Sequence, residues 1–274
     1  MTDKAPTQES PLHSQAAQAT DVRTIDKDVN AQFWARRAAK VDNNDPRVVT
    51  LDRSSAASVA REVQLYQQWM MRRLKGRTLD TVVDLGCGNG DWSIMLARHA
   101  RRTIATDLTA ELVETVRKRA AVEVPGKLVE CSAQDMASYP FDEPVDLIVA
   151  GGVLQYISDD DCCALLGRAA AALRPRKGVF YLRATVAKGA ERRAKCDDAY
   201  QAIYRSIDWY HQAMRDAGLT VTDGQLATDF VADELGKRWL GPAGPALGWP
   251  LRLVRRAYRG RRSTDVYACL AVAA

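Results

Sequence analysis

The chain has 274 residues, 39 Lys and Arg against 34 Asp and Glu for a formal charge of +5, and is 47% hydrophobic. No stretch reaches the roughly 18 uninterrupted apolar residues of a membrane span, and the first twenty residues lack the apolar core of a secretory signal, so neither is expected. Six cysteines (Cys87, Cys131, Cys162, Cys163, Cys196 and Cys269) show no C-x-x-C and no Cys/His ligand spacing, which argues against a zinc frame or a disulfide scaffold and sets a reducing, cytoplasmic location with no metal as the expectation.

Residues 1–25 are rich in Ala, Gln, Thr, Ser, Asp and Pro without apolar periodicity and read as a mobile tail. Residues 26–274 read as one domain. It opens with a helical cap over about 30–75, where Phe33-Trp34 sits in a short helical stretch. A loop with Asn43-Asn44-Asp45-Pro46 follows, and then a helix from about Ala56 to Leu74 carries Val59, Val63, Tyr66, Met70 and Leu74 on one face. Short apolar runs then recur at 81–85, 103–106, 127–131, 145–150, 178–184, 218–223 and 264–271, most of them separated by helical stretches. One helix stacks Leu112, Val116 and Ala120. Another opens with Ser158-Asp159-Asp160-Asp161, a capping-box pattern with acids at the positive end of the helix dipole, and stops near Pro175 and Gly178. Strands alternating with helices predict an α/β fold, a doubly wound and mostly parallel sheet with helices on both faces.

The chemistry concentrates in Val82-Val83-Asp84-Leu85-Gly86-Cys87-Gly88-Asn89-Gly90-Asp91-Trp92. A β-branched strand runs into three alternate glycines and then a helix, a turn at which a ligand can approach the backbone closely. The dinucleotide pattern G-x-G-x-x-G would need glycine at 91, where Asp91 stands, and no G-x-x-x-x-G-K-[ST] occurs. Asp84 and Asp91 would repel a phosphate, so the expected ligand is nucleoside-like and carries cationic groups. Asp107, 21 residues after Gly86, ends the second strand and can accept two ribose hydroxyls. Asp135 follows the third strand and can accept an adenine amine, with Met136 or Leu108 on the base face.

These segments, with Gln134-Asp135-Met136 and residues 146–157 as a fourth strand and its following loop, resemble the class I S-adenosylmethionine-dependent methyltransferases of the small-molecule type, over about residues 55–225. The resemblance implies a seven-stranded sheet of order 3-2-1-4-5-7-6 with strand 7 antiparallel. It implies S-adenosylmethionine as cofactor, with S-adenosylhomocysteine as product. Gly86 and Gly88 would touch the methionine moiety, Asp107 the ribose and Asp135 the adenine region. Trp34, Asp84, Cys87, Leu108, Gln134, Met136, Ala150 and Gly151 complete the expected donor site. One departure stands out: many relatives carry a histidine near 155 or 156, and here the pair is Gln155-Tyr156.

Methyl transfer from a sulfonium is an in-line displacement that mainly needs positioning, able to contribute about 7–11 kcal/mol; a base is needed only for a protonated nucleophile. Tyr156, Arg183 and His211 are the catalytic candidates. Arg183 and Arg205 are also candidates to clamp an acceptor carboxylate or phosphate. His13 falls in the tail and His99 late in the helix after the glycines, both read as surface positions. Phe33 and Trp34 are read as core packing or as a lid over the donor, and Cys162-Cys163 as packing.

Residues 236–262 hold eight Lys/Arg and no acid, mixed with Trp239, Leu247, Trp249, Leu251 and Leu253. As an insertion between strands 6 and 7 they would pack on the domain, contact an anionic membrane peripherally, or bind nucleic acid. The function expected is transfer of a methyl group to an O or N centre of a small-molecule or lipid-linked acceptor. An RNA methyltransferase is the alternative enzyme, disfavoured because no [DN]-P-P-[YF] follows strand 4. A non-catalytic S-adenosylmethionine-binding scaffold is the alternative of another class.

Overall fold

The computed structural model describes residues 24–40, 45–50, 55–189, 191–195, 200–226 and 264–273. Expectations for residues 1–23 with His13, for Asn43 and Asn44, for Cys196, and for the basic run 236–262 lie outside the described residues.

Nine strands and six helices are described. The strands are β1 (Leu79–Leu85), β2 (Ala100–Asp107), β3 (Leu128–Ala133), β4 (Leu147–Gly151), β5 (Val179–Ala187), β6 (Arg192–Lys195), β7 (Gln201–Tyr204), β8 (Leu219–Leu226) and β9 (Thr264–Ala273). The helices are α1 (Lys27–Lys40), α2 (Ala56–Arg73), α3 (Asp91–Ala97), α4 (Ala110–Glu123), α5 (Asp159–Ala172) and α6 (Ile207–Asp216). Seven strands form one sheet in the order β3-β2-β1-β4-β5-β9-β8. β9 runs antiparallel between β5 and β8. Counting only the strands of this sheet, that is the expected order 3-2-1-4-5-7-6 with the last strand reversed.

The central strands β1, β4, β5 and β9 are buried along most of their length because both faces of the sheet are covered there, whereas the edge strands β3 and β8 are only partly buried. Successive residues point to opposite sides, so Val83, Ile148 and Phe180 meet Leu165, Leu166, Tyr210 and Met214 of α5 and α6. Val82, Leu147 and Tyr181 meet Tyr66, Trp69 and Met70 of α2 and Trp92 and Leu96 of α3. Each such large side chain taken fully out of water contributes about 1.5–3 kcal/mol. Polar caps define the helix starts: Ser55 accepts from Ser58 N, Ser158 from Asp161 N and Ser206 from Trp209 N.

Several boundaries differ from the sequence reading. α1 starts at Lys27, and Ile25, assigned to the tail, is buried. α3 ends at Ala97, which leaves His99 beyond it and exposed. β6 and β7 form a separate antiparallel hairpin where only a connection was expected. Cys162 packs in the core, whereas Cys163 is exposed. Among the described residues no helix is long and apolar enough to cross a membrane, and no cluster of three or more His, Cys, Asp or Glu is placed to hold a metal.

Register places the site. Leu85 lies opposite Thr106 on one side and Ala150 on the other, Asp107 pairs with Ala133, and Gly151 pairs with Arg183. Gly86, Asp107, Gln134 and Gly151, at the ends of β1 to β4, therefore emerge along one edge, with Arg183 beside Gly151 in the middle of β5, which runs on to Ala187. β1 is also where the chain order reverses, with β2 to one side and β4 to the other, the position at which doubly wound sheets bind ligands.

Candidate active site

The loop Gly86–Gly90 has left-handed backbone at each glycine, with φ of +64° at Gly86, +55° at Gly88 and +91° at Gly90. A Cβ on Gly86 would lie 2.4 Å from Val153 Cγ1, and one on Gly88 would lie 2.7 Å from Val49 Cγ1. The loop is thus hemmed in by the segment after β4 on one side and by the turn after α1 on the other. Asp107 holds it in place: Oδ2 accepts from Gly88 N at 2.9 Å and Oδ1 from Thr109 N at 2.9 Å. Each oxygen keeps a further lone pair. Burial pushes the Asp107 carboxyl above its ordinary range, against the pull of those two amides. Arg119 braces the far side of the loop, donating to Asn89 O at 2.7 Å and Asp91 Oδ1 at 2.8 Å.

The second acid, Asp135, caps the short turn Met136–Ser138. Its Oδ1 accepts from Ala137 N at 2.9 Å and its Oδ2 meets Lys27 Nζ at 2.8 Å. The segment is tied to the end of β2 by Gln134 N to Asp107 O at 2.8 Å and by Thr106 Oγ1 to Gln134 O at 3.2 Å.

Helix α1 lines the mouth. Asn30 is buried and pairs in both directions with the Gln201 backbone, Nδ2 to O at 2.9 Å and N to Oδ1 at 2.8 Å, which fastens α1 to the β6–β7 hairpin. This brings Trp34 edge-on to Tyr156, with ring centroids 5.4 Å apart. Phe33 instead packs on Tyr200 and is buried, the core-packing role. The cavity, partly open to solvent, has a volume of about 640 Å³, within the range of small-molecule sites.

Of the expected donor residues, Trp34, Gly86, Cys87, Gly88, Asp107, Leu108, Gln134, Asp135, Met136 and Gly151 line this cavity. Asp84 and Ala150 do not. Asp84 lies beneath the loop, buried, with Oδ2 accepting from Ser93 Oγ at 2.5 Å. Burial raises its carboxyl to about 7, a shift that the Ser93 bond only partly offsets. Ala150 is wholly inside the sheet.

Of the catalytic candidates, Tyr156 and Arg183 line the cavity and His211 does not. His211 lies on α6, where its Nε2 is 2.7 Å from Tyr267 Oη, so the expectation of a role at the reacting atoms is corrected. Burial pushes the Tyr156 phenol well above its usual range, which keeps it neutral. Arg205 is also corrected: it is fully buried, donating to Asp159 Oδ1 at 2.7 Å, Leu154 O at 2.7 Å and Ile157 O at 2.8 Å. It fastens the turn that carries Tyr156 and is not free to clamp a ligand. Lys27, Asn30, Glu62 and Asp265 were not singled out from sequence. Each lines the cavity from an element far from the glycine loop in the chain, and no local motif marks it.

Comparison with known proteins agrees with this geometry. Residues 82–176 match the family model described as "Methyltransferase domain". The chain is 35% identical over 83 residues to a tRNA 5-carboxymethoxyuridine methyltransferase of Escherichia coli (strain K12), a match covering 28% of this chain and 31% of that protein. It is 32% identical over 84 residues to a 2-phytyl-1,4-naphtoquinone methyltransferase of Trichormus variabilis, covering 29% and 37%. The matched stretch is thus about a third of the length of these curated relatives. The fold is similar to that of an O-methyltransferase from the trans-AT PKS multienzyme of Brevibacillus brevis in complex with S-adenosyl-L-homocysteine, with a TM-score of 0.55 and 18% identity over 79% of this chain and 76% of the other. Residues 82–176 thus match a methyltransferase domain model, and the sheet that carries them has the fold of this solved methyltransferase.

Proposed function

We propose that the protein transfers the methyl group of S-adenosylmethionine to an O or N centre of a small-molecule acceptor. One observation carries this reading: the glycine loop, Asp107 and Asp135 stand in order along the carboxyl edge of β1, β2 and β3, in one cavity that α1 helps to line. The residues fit the donor. Gly86–Gly90 offers close backbone approach, Asp107 keeps lone pairs for a ribose diol, and no lysine stands in the loop to hold a phosphate. S-adenosylmethionine supplies an activated methyl on a sulfonium, and the chain's residues supply binding and alignment. Gly86 and Gly88 would receive the methionine moiety, Asp135 and Met136 the adenine region, while Trp34 and Tyr156 exclude water at the mouth. No histidine lines the cavity among the described residues, so a protonated nucleophile would need another proton acceptor.

The acceptor class rests on the size of the cavity. One curated relative acts, by its name, on a tRNA and another on a quinone. A cavity of about 640 Å³ lined on one side by α1 suits the smaller kind of acceptor. The lipid-linked and membrane-peripheral expectation rests on residues 236–262 and goes no further here.

Calorimetric titration with S-adenosylmethionine, S-adenosylhomocysteine and NAD tests the donor. Micromolar binding of the two sulfur nucleosides and none of NAD is expected. Methyl transfer from the tritiated donor is then measured with a small-molecule panel and with bulk tRNA. Label in tRNA alone would overturn the small-molecule reading, and donor binding with no transfer to either would bring the scaffold reading forward.

A further inference from the structure

We infer that the acceptor carries a carboxylate that Arg183 binds, on a planar body that lies against Trp34, Tyr156 and Tyr204. The inference rests on the methyl-transfer reading and deepens it.

Two cations line the cavity among the described residues, Lys27 and Arg183. Lys27 is spent: its ammonium is 2.8 Å from Asp135 and 3.2 Å from Asp161. Arg183 is not. Its guanidinium makes one hydrogen bond to the protein, Nη2 to Gly151 O at 3.1 Å, its Nε is buried with no partner, and no described acid lies within ion-pair distance. The acids that share the cavity are engaged elsewhere. Asp91 is 2.8 Å from Arg119, Asp265 is 3.7 Å from Lys188, Asp107 takes two backbone amides, and Glu62 accepts from Tyr66 Oη at 3.4 Å.

The guanidinium is nevertheless fixed in place. Register sets Arg183 opposite Gly151, the Tyr66 ring lies under the charge at 5.3 Å, and Gly152 at φ +96° leaves it room, since a Cβ there would fall 2.7 Å from Nη2. An arginine held in a cavity wall without a counter-ion has donors left over, and their planar fork matches a carboxylate. The contrast with Arg205, whose donors all end on Asp159, Leu154 and Ile157, separates a built anion site from a structural staple. The cavity that Arg183 lines also has an aromatic wall: Trp34 and Tyr156 are edge to face, and Tyr204 shares its hydroxyl with Tyr200 at 2.8 Å. A flat ring system suits such a wall.

The test uses the full chain saturated with S-adenosylhomocysteine and two probes of the same shape, 2-naphthoate and 2-naphthamide. The wild type is expected to bind the acid at least about tenfold tighter than the amide, the scale of a charge-assisted bidentate contact. Arg183→Met should lose that preference, binding the acid about tenfold more weakly and the amide within about threefold of wild type. Arg183→Lys, a point charge without the fork, should fall between them; it carries the comparison if Arg183→Met does not fold. Equal binding of acid and amide by the wild type, binding of neither probe, or a preference that survives in both variants overturns the inference. Failure of the wild type to bind S-adenosylhomocysteine in the first step would instead remove the methyl-transfer reading beneath it.

Discussion

Lys27 holds its ammonium 2.8 Å from Asp135 Oδ2 and 3.2 Å from Asp161 Oδ2, so one side chain of α1 clasps both the end of β3 and the start of α5. The clasp spans the region where an adenine amine would seek Asp135, because the other Asp135 oxygen already accepts the Ala137 amide. Lys27 and Asn30 together make α1 a cover fastened at two points over the crevice.

Lys27→Met should therefore change the rates of donor exchange more than the affinity. The Lys27 side chain is 37% exposed, and an ion pair of that kind contributes well under ~1 kcal/mol once screened by solvent. The dissociation constant for S-adenosylhomocysteine is expected to move less than about fivefold, while association and dissociation both accelerate. Stopped-flow tryptophan fluorescence reads this, with Trp34 on the same helix as reporter. Slower exchange in the variant would show that the clasp does not gate the crevice.

Asp84 makes a prediction about pH. Burial lifts its carboxyl to about 7, whereas an unfolded aspartate titrates near 4, at about 3.9. The folded state thus holds the proton more tightly than the unfolded one. Its contribution to stability is greatest below pH ~4, falls as pH rises through that window, and levels off above about 7. Asp84→Asn removes the titration but keeps an acceptor for Ser93 Oγ. Between pH 5 and 7.5 in urea, the wild type should lose on the order of 2–3 kcal/mol relative to the variant. Parallel pH profiles for the two proteins would sink the assignment of a near-neutral carboxyl to Asp84.

The parts of the fold that could be read from sequence were the local ones. Apolar runs such as 82–85 and 147–150 are buried on both faces and announce parallel strands, and the three alternate glycines mark a backbone that only glycine adopts readily. Asp107 and Asp135 were legible because each follows a strand. The β6–β7 hairpin was not, since Arg192-Arg193-Ala194-Lys195 shows neither alternation nor a tight-turn pair. Lys27 and Asn30 were invisible for a different reason: their partners lie 108 and 171 residues away. Arg183 and Arg205 looked equivalent as clamps, and only packing tells them apart. One lines the cavity from the middle of β5, while the other is swallowed between the β7 end and the turn after β4. His211 failed as a candidate because α6 lies on a face of the sheet, where its imidazole meets Tyr267 of β9 rather than the strand ends.

The buried Arg205 makes the second stability prediction. Its guanidinium meets Asp159 and two carbonyls of the segment that contains Tyr156, with the Trp209 ring 4.6 Å from its charge. Arg205→Met leaves Asp159 and both carbonyls without this donor, and breaking a buried pair in this way costs about 3–5 kcal/mol. Urea denaturation should report a loss of that size. Donor affinity should fall less than about threefold in protein that remains folded, because Arg205 does not line the cavity. A loss below ~1 kcal/mol would mean that the pair is solvated in solution.

The close approach at Gly86 can be separated from its backbone conformation by comparison with Gly76. Both have left-handed φ, +64° and +83°, but a Cβ on Gly76 meets nothing within 4 Å, while one on Gly86 lies 2.4 Å from Val153 Cγ1. Gly76→Ala should cost only the conformational strain, about 1–2 kcal/mol, with unchanged affinity for S-adenosylhomocysteine. Gly86→Ala bears the same strain and must also displace Val153, which lines the cavity. Affinity there should drop by more than about tenfold, equivalent to roughly 1.4 kcal/mol. Adding Val153→Ala removes the methyl at 2.4 Å and leaves the Val153 Cβ contact at 3.0 Å, so the double variant should recover part of the loss but not all of it. No recovery would place the whole effect in the loop backbone. Full recovery would mean that the segment after β4, rather than the glycine turn, controls access to the donor site.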